Sequence, residues 1–389
     1  MARGGAQGGG TITLGVEEEF FLLNPDTLDL RADPDPAIFD ACKRNRGPHK
    51  VGPEFLRAQI ETNTRVCQSV ADVRTAMQET RRLAIESAGL HDTLVMAAST
   101  HPFAAWRTQV VTAGRRYESF AVTYQQSVRQ LLVGGMHIHI GFGDPDSRIR
   151  VMTAIRRHLP LLHALSGSSP FSAGHETGFK SHRLNIIGGL PRTGLPGPLR
   201  SWPEFSTLLE NFRRMQFVQD ASELWWDIRP SAKFGTVELR ICDTCPLLEE
   251  AVAVVALYAC LVRYLLRKDS QDALPAEPPT EIIAENRWLA ARYGVLAFLG
   301  DAERGGRRDI QEYAETLVQD LVGDAHALGC EAELRRVLEI IRFGTGADRQ
   351  VDHFRLRKLE GDTEKEALRS VVRLAVEETR EGVPGVCAG

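Results

Sequence analysis

Polar and apolar residues alternate over 11–23. Ile12, Leu14, Val16, Phe20 and Leu22 fall on one side of an extended chain, and Thr11, Thr13, Glu17 and Glu19 on the other. That period predicts a β-strand with one buried face. Glu18 lands among the apolar positions, where it needs a partner such as an arginine, or a bend in the strand. Residues 55–63 repeat the pattern, with Arg57, Gln59, Glu61 and Asn63 on one face and Leu56, Ala58 and Ile60 on the other. Helical spacing predicts helices over 70–87 and 117–132, separated by a short apolar strand at 93–98. The second helix leads into the strand Met136-His137-Ile138-His139-Ile140-Gly141.

An acidic turn, Gly143-Asp144-Pro145-Asp146, opens a further helix, and 166–198 is rich in Gly, Ser and Pro. Irregular segments of that length inside a domain usually carry function. A hairpin follows, with strands at 224–229 and 235–243 joined by residues 230–234. Trp225, Asp227 and Arg229 share one face of its first strand. On the second, Thr236, Glu238, Arg240 and Cys242 lie opposite Val237, Leu239 and Ile241. After Pro246 the periodicity is helical, over about 247–267, 281–298, 308–328, 331–343 and 363–380, with 273–280 as a linker. Strands first and helices afterwards predict an α+β fold: an antiparallel sheet with helices on its outer face and a helical C-terminal third. The expected organisation is a flexible tail at 1–10 and a single catalytic domain at 11–389. Within it, 11–246 mixes sheet and helices and 247–389 is mainly helical.

Composition removes several classes of function. The net charge of −4 offers no basic excess for nucleic acid or a membrane surface. The most apolar stretch, 251–262, is too short to span a bilayer, and the N-terminus lacks the apolar core of a signal peptide. Seven cysteines without framework spacing fit a reduced, cytoplasmic protein. Cys242 and Cys245 form a Cys-x-x-Cys without visible partners, which reads as structural. Trp225 and Trp226 read as packing against the sheet, and 304–308 as a solvated basic loop.

What distinguishes the chain is acidic chemistry on the polar faces of distant strands. Glu17 and Glu19, two residues apart on a strand, project from one face roughly 6–7 Å apart. Carboxylates gathered in this way repel one another unless a cation neutralises them. Many Glu, few His and no His-Glu-x-x-His favour Mg²⁺ or Mn²⁺ over hydrolytic zinc, with a phosphate-bearing substrate. Arg240 beside Glu238 adds a fixed cation suited to a phosphoryl group, although a plain Arg240–Glu238 pair is the alternative. Neither a Walker loop nor a Gly-x-Gly-x-x-Gly turn is present, so nucleotide phosphates would be held by metals and arginines.

Seven segments in order carry a resemblance. They are Gly-Val-Glu-Glu-Glu-Phe (15–20), Glu-Phe-Leu-Arg-Ala-Gln-Ile-Glu (54–61), Thr-His-Pro-Phe-Ala-Ala-Trp (100–106) and Gly-Met-His-Ile-His-Ile-Gly (135–141). Trp-Trp-Asp-Ile-Arg-Pro (225–230), Phe-Gly-Thr-Val-Glu-Leu-Arg-Ile-Cys-Asp (234–243) and Gly-Thr-Gly-Ala-Asp-Arg-Gln (344–350) complete the set. From Thr13 to about Arg357 the chain resembles the carboxylate–amine ligase family, also called glutamate–cysteine ligase type 2. The resemblance implies a glutamine-synthetase-like sheet forming a funnel for ATP and divalent metal. It also implies phosphorylation of a carboxylate by ATP, then attack by an amine to give an amide. By motif, Glu17, Glu19, Glu61, His137 and Glu238 would be metal ligands. Arg240 would hold the transferring phosphoryl group beside Glu238, and Arg183 would grip the acid substrate. Glu54 matches a further acidic position of the family, but a regular strand would turn it away from Glu61. His139 is left undecided. Phe179 and His182, beside Arg183, replace tyrosines usual in the family and leave the substrate open.

Glutamate and cysteine are the default acid and amine, and the resemblance allows a homodimer. The alternatives are a phosphotransferase that stops at a phosphorylated guanidino or carboxylate group, a metal-dependent hydrolase using the His-x-His pair, and a binding protein without catalysis. The last predicts broken carboxylate positions, and the main ones are intact.

Overall fold

A computed structural model describes residues 12–386; the tail assigned to 1–10 lies outside the described residues. The alternating segments form one sheet. Its strands are β1 (Thr13–Leu23), β2 (Lys50–Pro53), β3 (Gln59–Asn63), β4 (Leu94–Met96) and β5 (Met136–Gly141), with the hairpin Ile228–Ser231/Thr236–Leu239. The spatial order is Ile228–Ser231, Thr236–Leu239, β5, β1, β3, β2, and β4 pairs with the far end of β1. Every pairing in it is antiparallel, as expected for an α+β fold.

Register decides which side chains meet. Glu17 stands opposite His137 on β5 and Asn63 on β3, and Glu19 stands opposite Glu61. Glu238 stands opposite His139 on one side and Arg229 on the other. Directly opposed residues point to the same face, so the polar halves of five strands make one surface.

The reverse face is the core. Val16, Ile138, Ile140, Val237 and Leu239 are 2% exposed or less and pack with the Leu248–Asp269 helix. That helix is buried almost all round from Ala251 to Val262, which explains its apolar run without a membrane. No helix among the described residues is long and apolar enough to cross one. Helices Ile310–Leu328 and Glu331–Phe343 extend the same core.

Glu18 does find an arginine. Arg81, on the Val70–Gly89 helix, donates from Nε to Oε2 at 3.1 Å and from Nη2 to Oε1 at 2.5 Å. Two further hydrogens go to the carbonyls of Cys245 and Pro246 at 2.8 and 2.7 Å. The pair is almost wholly buried and ties β1, the helix and the 245–246 turn together. Removing one partner of such a pair costs roughly 3–5 kcal/mol.

Several boundaries differ from the sequence reading. β3 begins at Gln59, and Arg57 leaves the shared face to bond Asp33 at 2.5 Å. The hairpin's first strand starts at Ile228, because Trp225–Trp226 pairs in parallel with Thr193–Gly194 instead. Cys242 does not continue the face of Glu238. The strand ends at Leu239, and Cys242 joins the apolar core, its thiol near the Leu162 carbonyl. The basic run 304–308 closes a small hairpin, Phe298–Asp301 with Gly306–Asp309. Helix Gly346–Leu359 had no periodic signal, since its buried residues are Gly346, Ala347, Gln350 and Val351. A reciprocal Thr345–Asp348 capping box starts it instead.

Candidate active site

The sheet is curled. β2 and the Ile228/Thr236 hairpin lie at opposite edges, yet Lys50 Nζ comes within 5.9 Å of the Phe234 ring centre. The concave face encloses a cavity of about 1070 Å³. Glu17, Glu19, Glu61, His137, Glu238, Arg240 and Arg183 all line it. The polar residues singled out in the sequence therefore share one enclosed space.

Within it, the acidic residues divide into two groups. In the first, ligand atoms of Glu17, His137 and Glu238 lie within 4.8 Å of one another. His137 Nδ1 is 3.3 Å from Glu17 Oε2. His139 belongs to the same neighbourhood: its Nε2 is 3.5 Å from Glu17 Oε1, and its Nδ1 is 3.0 Å from Thr236 Oγ1. Glu238 sits between two arginines. Arg229 donates from Nε at 2.6 Å and Nη2 at 3.1 Å, and Arg240 Nη1 pairs with Oε1. Withdrawal from water pushes the carboxyls of Glu17 and Glu238 up. The histidines around Glu17, and Arg240 and Arg229 around Glu238, outweigh that and hold both well below the usual range. Burial, reinforced by Arg240, lowers His137 to about 4, so its imidazole is neutral and fit to ligate.

The second group is Glu19, Glu54 and Glu61, again within 4.8 Å. Glu54 enters because β2 ends at Pro53 and the chain reverses over 54–58 before β3, which supplies the bend a regular strand lacks. Glu19 Oε2 accepts from Gly135 N at 2.8 Å, and Glu61 Oε1 from Asn63 Nδ2 at 2.6 Å. These bonds do not balance three carboxyls. Removal from water, with Glu54 next, raises Glu19 well above its ordinary value and Glu61 to about 8.

The donor set fits a hard divalent cation. Five carboxylates and one neutral imidazole converge, and the buried His137 Nε2 has no hydrogen-bond partner among the described residues. Oxygen-rich sets of this kind suit Mg²⁺ or Mn²⁺.

Arg183 reaches the cavity from the irregular 166–198 segment, on the short helix Arg183–Ile187. It is 3% exposed, and its Nη1 lies 3.2 Å from the Arg240 carbonyl. Its Nε has no partner among the described residues. A side chain at Gly135 would begin 2.3 Å from Nη2, so that glycine makes room for the guanidinium. Asp243 anchors the loop, accepting from Ser168 N, Ser169 Oγ and Ser181 Oγ at 3.0, 2.7 and 2.9 Å. Phe179 and His182 do not line the cavity: Phe179 packs on Trp288, outside it. The residues of this segment that face the cavity include Leu184 and Ile187.

Cys242 and Cys245 are buried free thiols outside both acidic groups, and burial pushes Cys242 up to about 12. The tryptophans separate. Trp226 packs in the core against Phe205 and Trp225 in an aromatic cluster with Phe120 and Tyr124, and both also line the cavity. Sequence reasoning left Arg229, His139, Lys50 and Lys233 outside the set. Only Arg229 and His139 had a signal, each lying on the polar face of an assigned strand.

The profile of glutamate–cysteine ligase family 2 matches residues 13–374. A protein of Rhodospirillum rubrum provisionally named glutamate–cysteine ligase 2 is 39% identical over 370 residues, 94% of this chain and 95% of its own. A protein of the same provisional name from Jannaschia sp. is 39% identical over 366 residues, 94% of this chain and 96% of its own. In fold, the glutamate–cysteine ligase of Francisella tularensis in complex with AMP superposes with a TM-score of 0.69 at 15% identity. That superposition covers 96% of this chain and 90% of that one. The bifunctional glutathione synthetase of Pasteurella multocida gives 0.68 at 16%, covering 96% of this chain and 53% of that one. Family match, long relatives and shared fold agree: the chain belongs to glutamate–cysteine ligase family 2 and, with it, to the ATP-dependent carbon–nitrogen ligases.

Proposed function

We propose that this chain joins a carboxylic acid to an amine at the expense of ATP, with glutamate and cysteine as the default pair given by the family name. The observation carrying this reading is the pair of acidic groups on one concave face, with Arg240 and Arg183 beside them.

Divalent metal, Mg²⁺ or Mn²⁺, would be held by Glu17, His137 and Glu238 in one group and by Glu19, Glu54 and Glu61 in the other. It would supply charge neutralisation for phosphate oxygens. Arg240 touches the transferring phosphoryl group and stabilises charge developing on its oxygens. Glu238 would hold metal and, with Arg229 behind it, fixes the orientation of Arg240. Arg183, whose buried Nε has no partner among the described residues, takes the carboxylate of the acid substrate. The acid's reacting carboxylate then attacks the γ-phosphorus, ADP leaves, and the amine displaces phosphate from the acyl carbon.

The test is ADP release with Mg²⁺ over a panel of acids and amines, with mass detection of the amide. ADP release that needs both an acid and an amine is expected. Full release without the amine would identify a phosphotransferase, and turnover with zinc and no ATP a hydrolase.

A further inference from the structure

The two ends of the cavity differ in chemistry. At one end lies the hairpin turn carrying Lys233 and Phe234. The Phe234 ring is 53% exposed, with Lys233 Nζ at 5.0 Å and Lys50 Nζ at 5.9 Å. An open aromatic face between two ammonium groups suits a base and its phosphates. That turn adjoins Thr236, which pairs with Gly141, the residue opposite Thr13 on β1. Glu19, with Glu61 opposite it on β3, stands six residues further along β1, about 20 Å from Thr13 at the strand rise.

Beyond Glu19 the wall becomes apolar. Leu184 and Ile187 share a helix with Arg183, and Leu190 follows directly. Val128, Leu131 and Phe120 come from the Arg115–Arg129 helix and the residues after it, and all six line the cavity. Val128 and Leu190 are buried in one cluster, on which Phe120 and Leu131 pack. Free glutamate and cysteine offer little apolar surface to such a wall, and an unfilled apolar pocket contributes nothing to their recognition.

We propose that this flank binds a bulky aliphatic or aromatic side chain, carried by the substrate whose carboxylate Arg183 holds. The inference rests on the ligase reading above and narrows its substrate class to acids more hydrophobic than glutamate. The nucleotide takes the Phe234 end, which leaves the flank to the organic substrate.

Two measurements on the full chain test this. In the ADP-release assay, leucine or phenylalanine as the varied acid should exceed glutamine or serine in kcat/KM by about tenfold or more, the scale at which apolar pockets discriminate. Ile187→Ala and Leu131→Ala should raise KM for that substrate about tenfold and leave KM for ATP unchanged. Preference for polar substrates, or no change in the variants, overturns the proposal. A raised KM for ATP instead places the base on this flank and also overturns it. If no pair releases ADP, the ligase reading fails separately. Calorimetry of leucine and phenylalanine with enzyme saturated in Mg²⁺ and a non-hydrolysable ATP analogue then decides the flank. Binding weakened by Ile187→Ala supports it, and absence of binding overturns it.

Discussion

Glu19 on β1 and Glu61 on β3 stand directly opposite each other on the concave face, two like charges at the closest cross-strand position. Opposed carboxylates destabilise a sheet unless a proton or a cation intervenes. With Glu61 raised to about 8 and Glu19 raised as well, the folded metal-free chain keeps protons here that the unfolded chain has released. Between pH 4.5 and 8 the unfolded state therefore binds fewer protons, and stability falls as pH rises, by about 1 kcal/mol per pH unit for one such group. Melting temperature should drop from pH 5 to pH 8 without metal, and Mg²⁺ should restore it most at pH 8. A melting curve insensitive to both would contradict the pairing.

Glu54 should matter as much as Glu61. Glu54→Gln and Glu61→Gln each remove one oxygen donor and one like charge from the same group. Each variant should melt slightly higher than the wild type without metal. Each should bind Mg²⁺ at least tenfold more weakly by isothermal titration. A Glu54 variant with unchanged Mg²⁺ affinity would take it out of the site.

Neighbouring glutamates on β1 should behave oppositely. Glu18→Gln strips Arg81 of a buried partner and should cost roughly 3–5 kcal/mol in denaturant unfolding. The folded fraction should retain near-normal KM values. Glu17→Gln faces the cavity, so it should leave stability within about 1 kcal/mol and reduce ADP release by more than a hundredfold. Alternation along one strand predicts this split, and equal effects on stability would refute it.

That contrast also marks how far the sequence could be read. Period-two alternation assigns Glu17, Glu19 and Glu61 to one face and Glu18 to the other, because a strand's side chains have no other choice. The same rule misplaces Arg57 and Glu54, since it assumes a strand where the chain reverses over 54–58. Arg57 goes to Asp33 and Glu54 into the site. The division into two groups depends on cross-strand register, which local patterning does not encode. Helix Gly346–Leu359 is invisible to hydrophobic period because its inner face is glycine, alanine and glutamine. Patterning alone shows the 166–198 segment only as an irregular functional stretch, and Arg183 stands out there through the resemblance. Its placement of Arg183 depends on Asp243, sixty residues away in sequence, and on the absence of a side chain at Gly135.

Arg183 and Asp243 should therefore be separable. Arg183→Ala should raise KM for the acid at least tenfold and KM for ATP by less than threefold. Asp243→Asn leaves Arg183 in the chain but loosens Ser169 and Ser181 around it. It should raise the same KM by a smaller factor, with kcat little changed. Equal effects on both substrates would remove Arg183 from the acid pocket.

The most direct measurement of the central claim follows oxygen. The acid substrate is supplied with ¹⁸O in its reacting carboxylate, together with ATP, Mg²⁺ and the amine, and the released phosphate is analysed by mass. Amide formation through an acyl phosphate should transfer one ¹⁸O to phosphate for every amide made. Phosphate without the label, or equal phosphate release when the amine is omitted, would contradict the account.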